Sequence, residues 1–273
     1  MNHTTTRRRF LAGAAAAGLG AIGGCISLGD RQETEETHTF DVTGLSELTI
    51  RNGVGDVRVA AEDRSDVRVR AIKRAGSEDQ FDAISLVEQR SGGTLALSVD
   101  NEIDSTLFGS PPSMEFDIVV PTDLRVAEIR TDTGDLEVEG TSGALNVETD
   151  TGDAVVSDVE GTLRATTDTG DLTIRNAASV SGVTTETGDV EIDVAALDGD
   201  ARIETETGDV DAALAAALDA RVVVRTETGD VTSSGLDLSE LESGEHRLEG
   251  TLGQGTARFT IETETGDVTL SGL

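Results

Sequence analysis

The chain is poor in several residue types on which other proteins rely. It has 273 residues, with one cysteine, three prolines and no tryptophan or tyrosine. Cys25 is the only cysteine, so no intrachain disulfide can form in any compartment. Lys73 is the single lysine among 21 basic residues, which stand against 53 acidic ones and give a formal net charge of -32. Because phosphate binding needs patches of lysine and arginine, this balance argues against a nucleic-acid partner.

The excess of acidic residues is compatible with two kinds of chain. High net charge with few aromatic residues is typical of disordered segments. Folded halophilic proteins carry similar charge, since their carboxylates keep them soluble at high salt. Hydrophobic residues make up 36% of the chain, and between residues 131 and 273 they largely alternate with polar ones. Apolar surface is therefore organised for burial, and we interpret the chain as a folded, acidic, halophilic protein.

The start of the chain has the order of an export signal. Three arginines precede Phe10 and Leu11, and residues 13–24 are all alanine, glycine, leucine or isoleucine. A charged start followed by a mildly apolar, small-residue stretch is typical of such signals. Arg7 and Arg8, with Phe10 and Leu11 behind them, resemble the twin-arginine translocation signal. The stretch falls short of the ~20 strongly apolar residues of a permanent membrane span.

Cys25 comes directly after this stretch, in the sequence Ile-Gly-Gly-Cys. This resembles a lipobox, in which cleavage before the cysteine leaves a thiol that receives a two-chain lipid, and two chains anchor stably. We predict that residues 1–24 are a twin-arginine signal peptide with a lipobox. The mature protein would then be anchored by lipid on Cys25 to the outer face of the cytoplasmic membrane, at the cell surface. An incidental cysteine near an ordinary cleavage site is the alternative.

The segment after the cysteine, residues 25–39, contains four acidic residues and has no periodicity. It is predicted to be an acidic flexible tether that holds the rest of the chain away from the membrane.

A six-residue motif recurs seven times in the second half of the chain. It reads Thr-Asp/Glu-Thr-Gly-Asp and then an apolar residue, and we call it the TxTGD motif. The copies start at Thr131, Thr149, Thr167, Thr185, Thr205, Thr226 and Thr263. The steps between them are 18, 18, 18, 20, 21 and 37 residues, and the last is close to two ordinary steps. A fixed short period with fixed turn chemistry predicts one structural unit stacked on copies of itself.

Each copy of the motif predicts one coil with two strands. Before each corner, every second residue is apolar and the same alternation includes both threonines, as in Val147, Thr149 and Thr151. After each corner, every second residue is again apolar and predicted to point inward, as in Leu136 and Val138 of the preceding copy. Glycine allows positive φ at the corner, and aspartate can bond nearby backbone amides. Inward threonines are expected to form ladders in which each hydroxyl bonds a neighbour or a backbone carbonyl. The prediction is an all-β fold, a single-stranded parallel β-solenoid (β-helix-like) of about 18–21-residue coils with an irregular N-terminal cap.

The two parts of the body differ in regularity. Residues 40–127 are predicted to form the irregular N-terminal β part or cap, with strand-like runs at 67–72, 83–87, 94–99 and 116–120. Residues 128–273 are predicted to form the regular coils. The stretch 231–259 lacks the motif, and Gly253-Gln254-Gly255 is a candidate for a degenerate corner.

Three sequence features resemble a known family. They are the early strand Gly55-Asp56-Val57-Arg58-Val59, the Val119-Val120-Pro121 run and the TxTGD coils. Together they look like the "putative adhesin" β-solenoid domain, which is widespread in bacterial and archaeal surface proteins and has no established biochemical function. The resemblance covers about residues 40–273, in what resembles a haloarchaeal-type lipoprotein. It implies the fold and an adhesin role, and it carries no catalytic residues.

Stacking the motif copies places acidic residues in two columns. The outward column lies between the threonines and contains Asp132, Asp150, Asp168, Glu186, Glu206, Glu227 and Glu264. The corner column contains Asp135, Asp153, Asp171, Asp189, Asp209, Asp230 and Asp267. Hard cations prefer clustered carboxylates, so the corner column is a candidate weak cation ladder. Turn chemistry and halophilic solvation are the favoured alternative, and no specific metal site or cofactor is predicted.

The chain offers little for catalysis. Its histidines outside the signal are His38 and His246, and serine pairs such as Ser233-Ser234 lack a neighbouring base. We therefore expect a non-catalytic surface adhesion, binding or envelope structural module, whose partner is a surface glycan or an envelope protein. A polysaccharide-active enzyme on a β-helix scaffold is one alternative, and a low-affinity divalent-cation surface is another.

The targeting hypothesis predicts two separable phenotypes. Replacing Arg7 and Arg8 by lysine should block export, because the pathway reads the arginine pair. Cys25→Ser should abolish lipid labelling and either release the protein into the medium or leave it unprocessed. Fractionation with lipid labelling measures both, and unchanged labelling of the Cys25→Ser chain would contradict the lipoprotein prediction.

Overall fold

The computed structural model of the protein describes residues 32–101 and 111–273. The predicted signal peptide, its arginines and Cys25 lie outside these ranges. Within them, the chain has no helix long and apolar enough to cross a membrane.

The described chain is built almost wholly of strands. In chain order they are β1 (Gln32–Asp41), β2 (Glu47–Val54), β3 (Val57–Glu62), β4 (Asp66–Ala75), β5 (Ile84–Ser91), β6 (Thr94–Asn101), β7 (Ser113–Pro121), β8 (Arg125–Thr133), β9 (Leu136–Glu139), β10 (Leu145–Thr151), β11 (Ala154–Ser157), β12 (Thr162–Thr169), β13 (Leu172–Ala177), β14 (Ser179–Thr187), β15 (Val190–Val194), β16 (Leu197–Thr207), β17 (Val210–Leu214), β18 (Ala220–Thr228), β19 (Val231–Ser234), β20 (Ser239–Gly244), β21 (Arg247–Leu252), β22 (Ala257–Thr265) and β23 (Val268–Gly272). One short helix, α1 (Glu78–Ala83), precedes β5.

The strands form two sheets that enclose one core. Sheet A has the order β1-β4-β7-β3-β9-β11-β13-β15-β17-β23-β19. Sheet B has the order β20-β21-β18-β22-β16-β14-β12-β10-β8-β2-β6-β5. Apolar residues from both sheets belong to a single buried cluster, so the sheets pack face to face.

Each TxTGD copy forms one coil, as the sequence predicts. In the coil of β10 and β11, the chain runs along sheet B, turns at Gly152 and returns in sheet A. Val147 and Val156 point into the core from the two sheets and are buried. Neighbouring coils pair in parallel with motif threonines in register, as in Thr149 with Thr131. Each parallel strand lies between the matching strands of two neighbouring coils, and its inward side chains are buried. β-branched and aliphatic residues suit these positions.

The two threonines of the motif do not share an environment. Thr149 is buried, whereas Thr151, two residues later, is exposed. The same division holds in all seven copies. The prediction that both threonines point inward is therefore wrong for the second one. The difference arises at the corner. The second threonine is the last residue of its strand in sheet B, and its side chain turns outward as the chain enters the corner.

The stacking order also departs from the chain order. β22 lies between β16 and β18, and β23 lies between β17 and β19. The coil of β22 and β23 therefore sits between two coils that precede it in the chain. The interpretation of the 37-residue step as two ordinary steps is wrong, because the residues between the copies form no coil of their own.

The stretch 231–259 contains an antiparallel hairpin of β20 and β21. β21 pairs antiparallel with β18, and β20 pairs antiparallel with β21 at the outer edge of sheet B. Leu248 and Leu252 of β21 are buried and cover the end of the core. The hairpin therefore closes this end of sheet B.

Antiparallel strands also close the N-terminal end. β6 and β7 pair in parallel with β2 and β3, and β5 and β4 then pair antiparallel with β6 and β7. β1 pairs antiparallel with β4 at the edge of sheet A. The strands predicted at 67–72, 94–99 and 116–120 are confirmed within β4, β6 and β7, and most of the run 83–87 lies in β5.

β1 corrects the tether prediction. Its outward residues Glu33 and Glu35 accept hydrogen bonds from Arg74 (2.7 Å) and Arg70 (2.8 Å) of β4. Its inward Phe40 is buried. The prediction of a flexible tether is therefore wrong for residues 32–39, because cross-strand ion pairs hold this edge strand in place of apolar periodicity. Residues 25–31 lie outside the described ranges.

The close stacking of corners predicts a sharp difference between two glycines. At Gly170 φ is +147°, and an added Cβ would lie closer than 3.0 Å to the carbonyl oxygen of Gly152. Gly199 also has positive φ, +86°, but an added Cβ would meet no atom within 4 Å. We expect Gly170→Ala to lower the free energy of unfolding by about 3 kcal/mol or more. Gly199→Ala should cost about 1 kcal/mol, from backbone strain alone.

Denaturant unfolding of the two variants measures this difference. Equal losses for Gly170→Ala and Gly199→Ala would show that coil contact at the corner does not decide the residue there.

Candidate functional site

The corners of the solenoid lie in a row along one edge. Eight corner glycines follow one another in the stack, in the order Gly55, Gly134, Gly152, Gly170, Gly188, Gly208, Gly266 and Gly229. Each has φ between +127° and +153°. We call this row, with the motif side chains around it, the corner edge.

The backbone of each corner is bonded to the next coil. The amide of Gly134 donates to the carbonyl of Thr151 (2.9 Å), and the amide of Leu136 donates to the carbonyl of Asp153 (2.8 Å). Glycine is required because the carbonyl of the preceding corner occupies the space of a Cβ.

The buried threonine of each motif bonds the preceding corner. The Thr149 hydroxyl donates to the carbonyl oxygen of Gly134 (3.2 Å), and the Thr167 hydroxyl donates to that of Gly152 (3.3 Å). The other five copies repeat this bond. The sequence prediction that hydroxyls find backbone carbonyls is therefore confirmed for the first threonine. A partly buried corner carbonyl thereby gains a hydrogen-bond partner.

The corner aspartates form a ladder of side chain to backbone bonds. The Asp153 amide donates to Asp135 Oδ1 (3.0 Å), and the Asp171 amide donates to Asp153 Oδ1 (2.9 Å). The series begins at Asp56, whose Oδ1 accepts from the Asp135 amide (3.0 Å). It continues through the remaining corners at 2.7–2.8 Å. These exposed carboxylates therefore have a structural role, with one oxygen of each bound to the next coil, except for Asp230, which ends the series and takes part through its amide alone.

Two residues end the corner row where the motif stops. At the N-terminal end, Asn52 stands in register with Thr131, and its Nδ2 donates to the carbonyls of Gly55 and Met114 (2.8 Å each). At the other end, His246 Nδ1 lies 2.6 Å from the carbonyl oxygen of Gly229. A carbonyl only accepts, so Nδ1 carries the proton there. His246 thus replaces the threonine of a further coil.

The outward acidic column is exposed along the same edge. Asp168, Glu186 and Glu206 are exposed. At the N-terminal end, Arg130 approaches three acids of its own and the next coil, with Asp150 at 3.1 Å, Asp132 at 3.7 Å and a close pair with Glu148. Carboxylates ~4.8 Å apart in neighbouring coils repel one another in water by about 1 kcal/mol per pair. The edge therefore presents dense negative charge beside the exposed second threonines.

The predicted cation ladder stays a prediction. In the described ranges, no group of three or more histidine, cysteine, aspartate or glutamate side chains is arranged to hold a metal ion. Apart from Asp230, each corner aspartate has its Oδ1 bound to a backbone amide of the next coil.

The N-terminal end has a small hollow away from the corner edge. It has a volume of about 160 Å³ and is lined by residues that include His38, Lys73, Leu86 and Met114. Lys73 Nζ lies 4.3 Å from the ring centre of Phe81, and burial lowers the pKa of its amine. His38 stacks on Phe40 with ring centres 6.3 Å apart. Both basic side chains are thus packed into the cap.

The C-terminal hairpin is fastened to the solenoid by an acid between two arginines. Glu249 accepts hydrogen bonds from Arg221 of β18 and Arg247 of β21. These bonds, that from Arg221 above all, lower the pKa of Glu249 to about 2. Because this is below the ordinary value for glutamate, the bonds stabilise the fold above about pH 4.5 and are lost as the pH falls toward 2.

The predicted site residues and the observed ones overlap only in part. The structure brings all seven corner aspartates and all seven outward acids to one edge. Sequence reasoning missed the roles of Asn52 and His246. Aligning Asn-Gly-Val-Gly-Asp at 52–56 with the motif would have placed Asn52 at the threonine position, whereas His246 follows no repeated pattern.

The regular coils have a counterpart among known families. Residues 166–271 match the Toastrack DUF4097 family. The match spans five of the seven motif copies and the C-terminal hairpin. A search of curated protein sequences finds no match to the chain.

Solved structures resemble the chain over most of its length. A "putative adhesin" from Bacteroides fragilis has a TM-score of 0.46 at 14% identity, and the alignment covers 88% of this chain and 97% of that one. For a "putative lipid binding protein" from Parabacteroides distasonis the TM-score is 0.42 at 14% identity, covering 86% and 96%. For a "putative cell adhesion protein" from Clostridium sporogenes it is 0.39 at 14% identity, covering 88% and 100%.

The unequal threonines of the motif give a prediction within a single coil. Thr185 is buried and donates to the Gly170 carbonyl (3.3 Å), whereas Thr187 is exposed. Valine has nearly the same shape but no hydroxyl. Thr185→Val should lower the free energy of unfolding by about 1–2 kcal/mol, since it leaves a carbonyl unbonded. Thr187→Val should change it by less than about 0.5 kcal/mol. Thermal and denaturant unfolding measure both, and a reversed order would contradict the assignment of the two threonines.

Proposed function

We propose that the protein is a lipid-anchored, extracytoplasmic binding module, non-catalytic, that meets a cell-surface glycan or an envelope protein through its corner edge. The stack of coils also serves as an envelope structural element. Lipid on Cys25 holds it at the outer face of the cytoplasmic membrane.

The observation that carries this proposal is that some residues of the motif bond neighbouring coils, whereas others are exposed to solvent. The glycine, the first threonine and one aspartate oxygen are bound to neighbouring coils. The second threonine is exposed in all seven copies, and the outward acid is exposed in all but Asp150, which pairs with Arg130 of the neighbouring coil. The stack therefore holds a row of acidic and threonine side chains ~4.8 Å apart.

A regular row suits a partner that is itself extended. Each coil offers a weak contact of the same kind, and many such contacts along one stack of coils act together. A polymer with repeated hydroxyl or cationic groups can engage several coils without a deep pocket.

The alternatives differ in what they need from the same surface. A polysaccharide-active enzyme needs a locally unique acid and base, whereas an outward acid recurs at the same position of each TxTGD coil. A low-affinity divalent-cation surface would use the same carboxylates and would add to the binding role.

Charge removal on two faces of the protein tests the corner edge. The test variant carries Asp168→Asn, Glu186→Gln and Glu206→Gln, whose side chains are exposed on the corner edge. The control carries Glu139→Gln, Asp193→Asn and Asp211→Asn, which remove three charges from the outer side of sheet A. Binding of the solubilised full chain to a glycan array and to envelope fractions, in molar salt, should fall at least about tenfold for the test variant only, the equivalent of about 1.4 kcal/mol.

Each other outcome bears on a different part of the proposal. Equal loss for both variants would contradict the corner edge as the contact surface. No binding by the unmodified chain would contradict the binding module. Release of products from acidic polysaccharides, abolished by changing one local carboxylate pair, would establish the enzyme.

A further inference from the structure

The coil of β22 and β23 fills a space between two coils that come earlier in the chain. One wall of this space is β16 and β17, and the other is β18 and β19. We propose that this space, which we call the slot, is a binding site for the C-terminal coil of a second copy of this chain, so that two copies associate by exchanging coils.

The slot offers backbone partners on both sides. β22 pairs in parallel with β16 on one side and with β18 on the other, and β23 pairs likewise with β17 and β19. Without the inserted coil, the edges of these four strands that face the slot would lose their backbone hydrogen bonds to β22 and β23. Such unpaired edges are templates for an added strand.

Recognition within the slot uses the motif itself. The Thr263 hydroxyl donates to the Gly208 carbonyl (3.3 Å), and the Asp267 amide donates to Asp209 Oδ1 (2.7 Å). From the other wall, the Thr226 hydroxyl donates to the Gly266 carbonyl (2.9 Å). The sequence Thr-Glu-Thr-Gly-Asp-Val is identical at 205–210, 226–231 and 263–268. These bonds therefore do not depend on which copy of the chain supplies the coil.

Two further contacts fit the C-terminal coil to the slot, and of these Phe259 distinguishes it from the coil of β16, since Glu204 is equivalent to Glu262. Glu262 lies between the two walls, 2.5 Å from an Arg202 nitrogen and 3.2 Å from an Arg225 nitrogen. Phe259 is fully buried, and the equivalent position in β16 is Ala201. The slot thus has a charge and a volume that match this coil.

The connection to the coil has the composition of a hinge. Between Leu252 and Ala257 the chain contains Gly253 and Gly255, with φ of +64° and +71°. The Asp219 carboxylate holds this turn by accepting from the amides of Gln254 (2.7 Å) and Thr256 (3.2 Å). No residue between Leu252 and Ala257 belongs to the core. Rotation at two glycines therefore moves the coil as a unit.

A second copy of the chain is the occupant that forms in the slot the same contacts as the chain's own C-terminal coil. Reciprocal exchange restores every contact of the monomer, including the Glu262 ion pairs, so its cost consists of association entropy, the change at the hinge and the charge repulsion between the copies. The negative charge of the two copies opposes their approach, and high salt screens that repulsion.

Cross-linking between single-cysteine chains tests the exchange. Thr232 of β19 and Thr269 of β23 are in register, with their hydroxyl oxygens 3.4 Å apart. One full chain carries Thr232→Cys and the other carries Thr269→Cys, both with Cys25→Ser and with tags of different size. When the coil of one chain occupies the slot of the other, the two cysteines are held side by side, so their disulfide forms in greater yield than random collision gives.

The control pair uses neighbouring coils that are not inserted out of order. Thr173→Cys and Glu191→Cys lie in register on β13 and β15 of sheet A. Each pair is mixed folded in molar salt, and is separately unfolded and refolded together at high concentration before oxidation.

We expect a mixed disulfide dimer from the co-refolded Thr232→Cys and Thr269→Cys chains, at least about tenfold above the control pair, with a yield that rises with protein concentration. A mixed dimer at the control level in both samples would overturn the proposal. A yield that does not depend on protein concentration during refolding would also overturn it.

Discussion

The structure depends on how closely one corner lies on the next. The carbonyl oxygen of each corner glycine occupies the place where the next glycine would carry a Cβ. This approach requires glycine, leaves a partly buried carbonyl for the threonine hydroxyl to bond, and brings each aspartate but the last within reach of an amide one coil away. The TxTGD motif is thus the set of side chains that one tight contact demands, and the acids and threonines left outside it form the exposed surface.

A repeat built on such a contact needs an end on each side. Asn52 and His246 supply the missing bonds at the two ends of the corner row. Antiparallel strands close both ends of sheet B and the N-terminal end of sheet A. Because an antiparallel strand cannot continue the parallel coil, these caps stop one copy from stacking indefinitely on another. The short strand β19, whose three residues after Val231 are polar and exposed, forms the remaining edge.

The sequence predicts the coil well and the order of the coils poorly. Fixed spacing and corner chemistry predicted strand, corner and strand in each copy, together with the columns of acids. Identical motifs bond equally well to any neighbour, so they contain no information about which coil lies beside which, and the insertion of β22 and β23 could not be foreseen. β1 was missed because its cross-strand ion pairs with Arg70 and Arg74 depend on a strand that is distant in sequence. The outward turn of the second threonine follows from three-dimensional corner geometry, which alternation along a strand does not contain.

The inserted coil also determines how the molecule would respond to mechanical force. In a solenoid stacked in chain order, tension on the C-terminus peels off the last coil across one interface. Here the C-terminal coil has a neighbour on each side, so tension loads two parallel sets of hydrogen bonds at once and must also displace the buried Phe259. A load along those strands acts in shear, where many bonds resist together. The last residues of this chain are therefore held more firmly than the end of a simple stack would be.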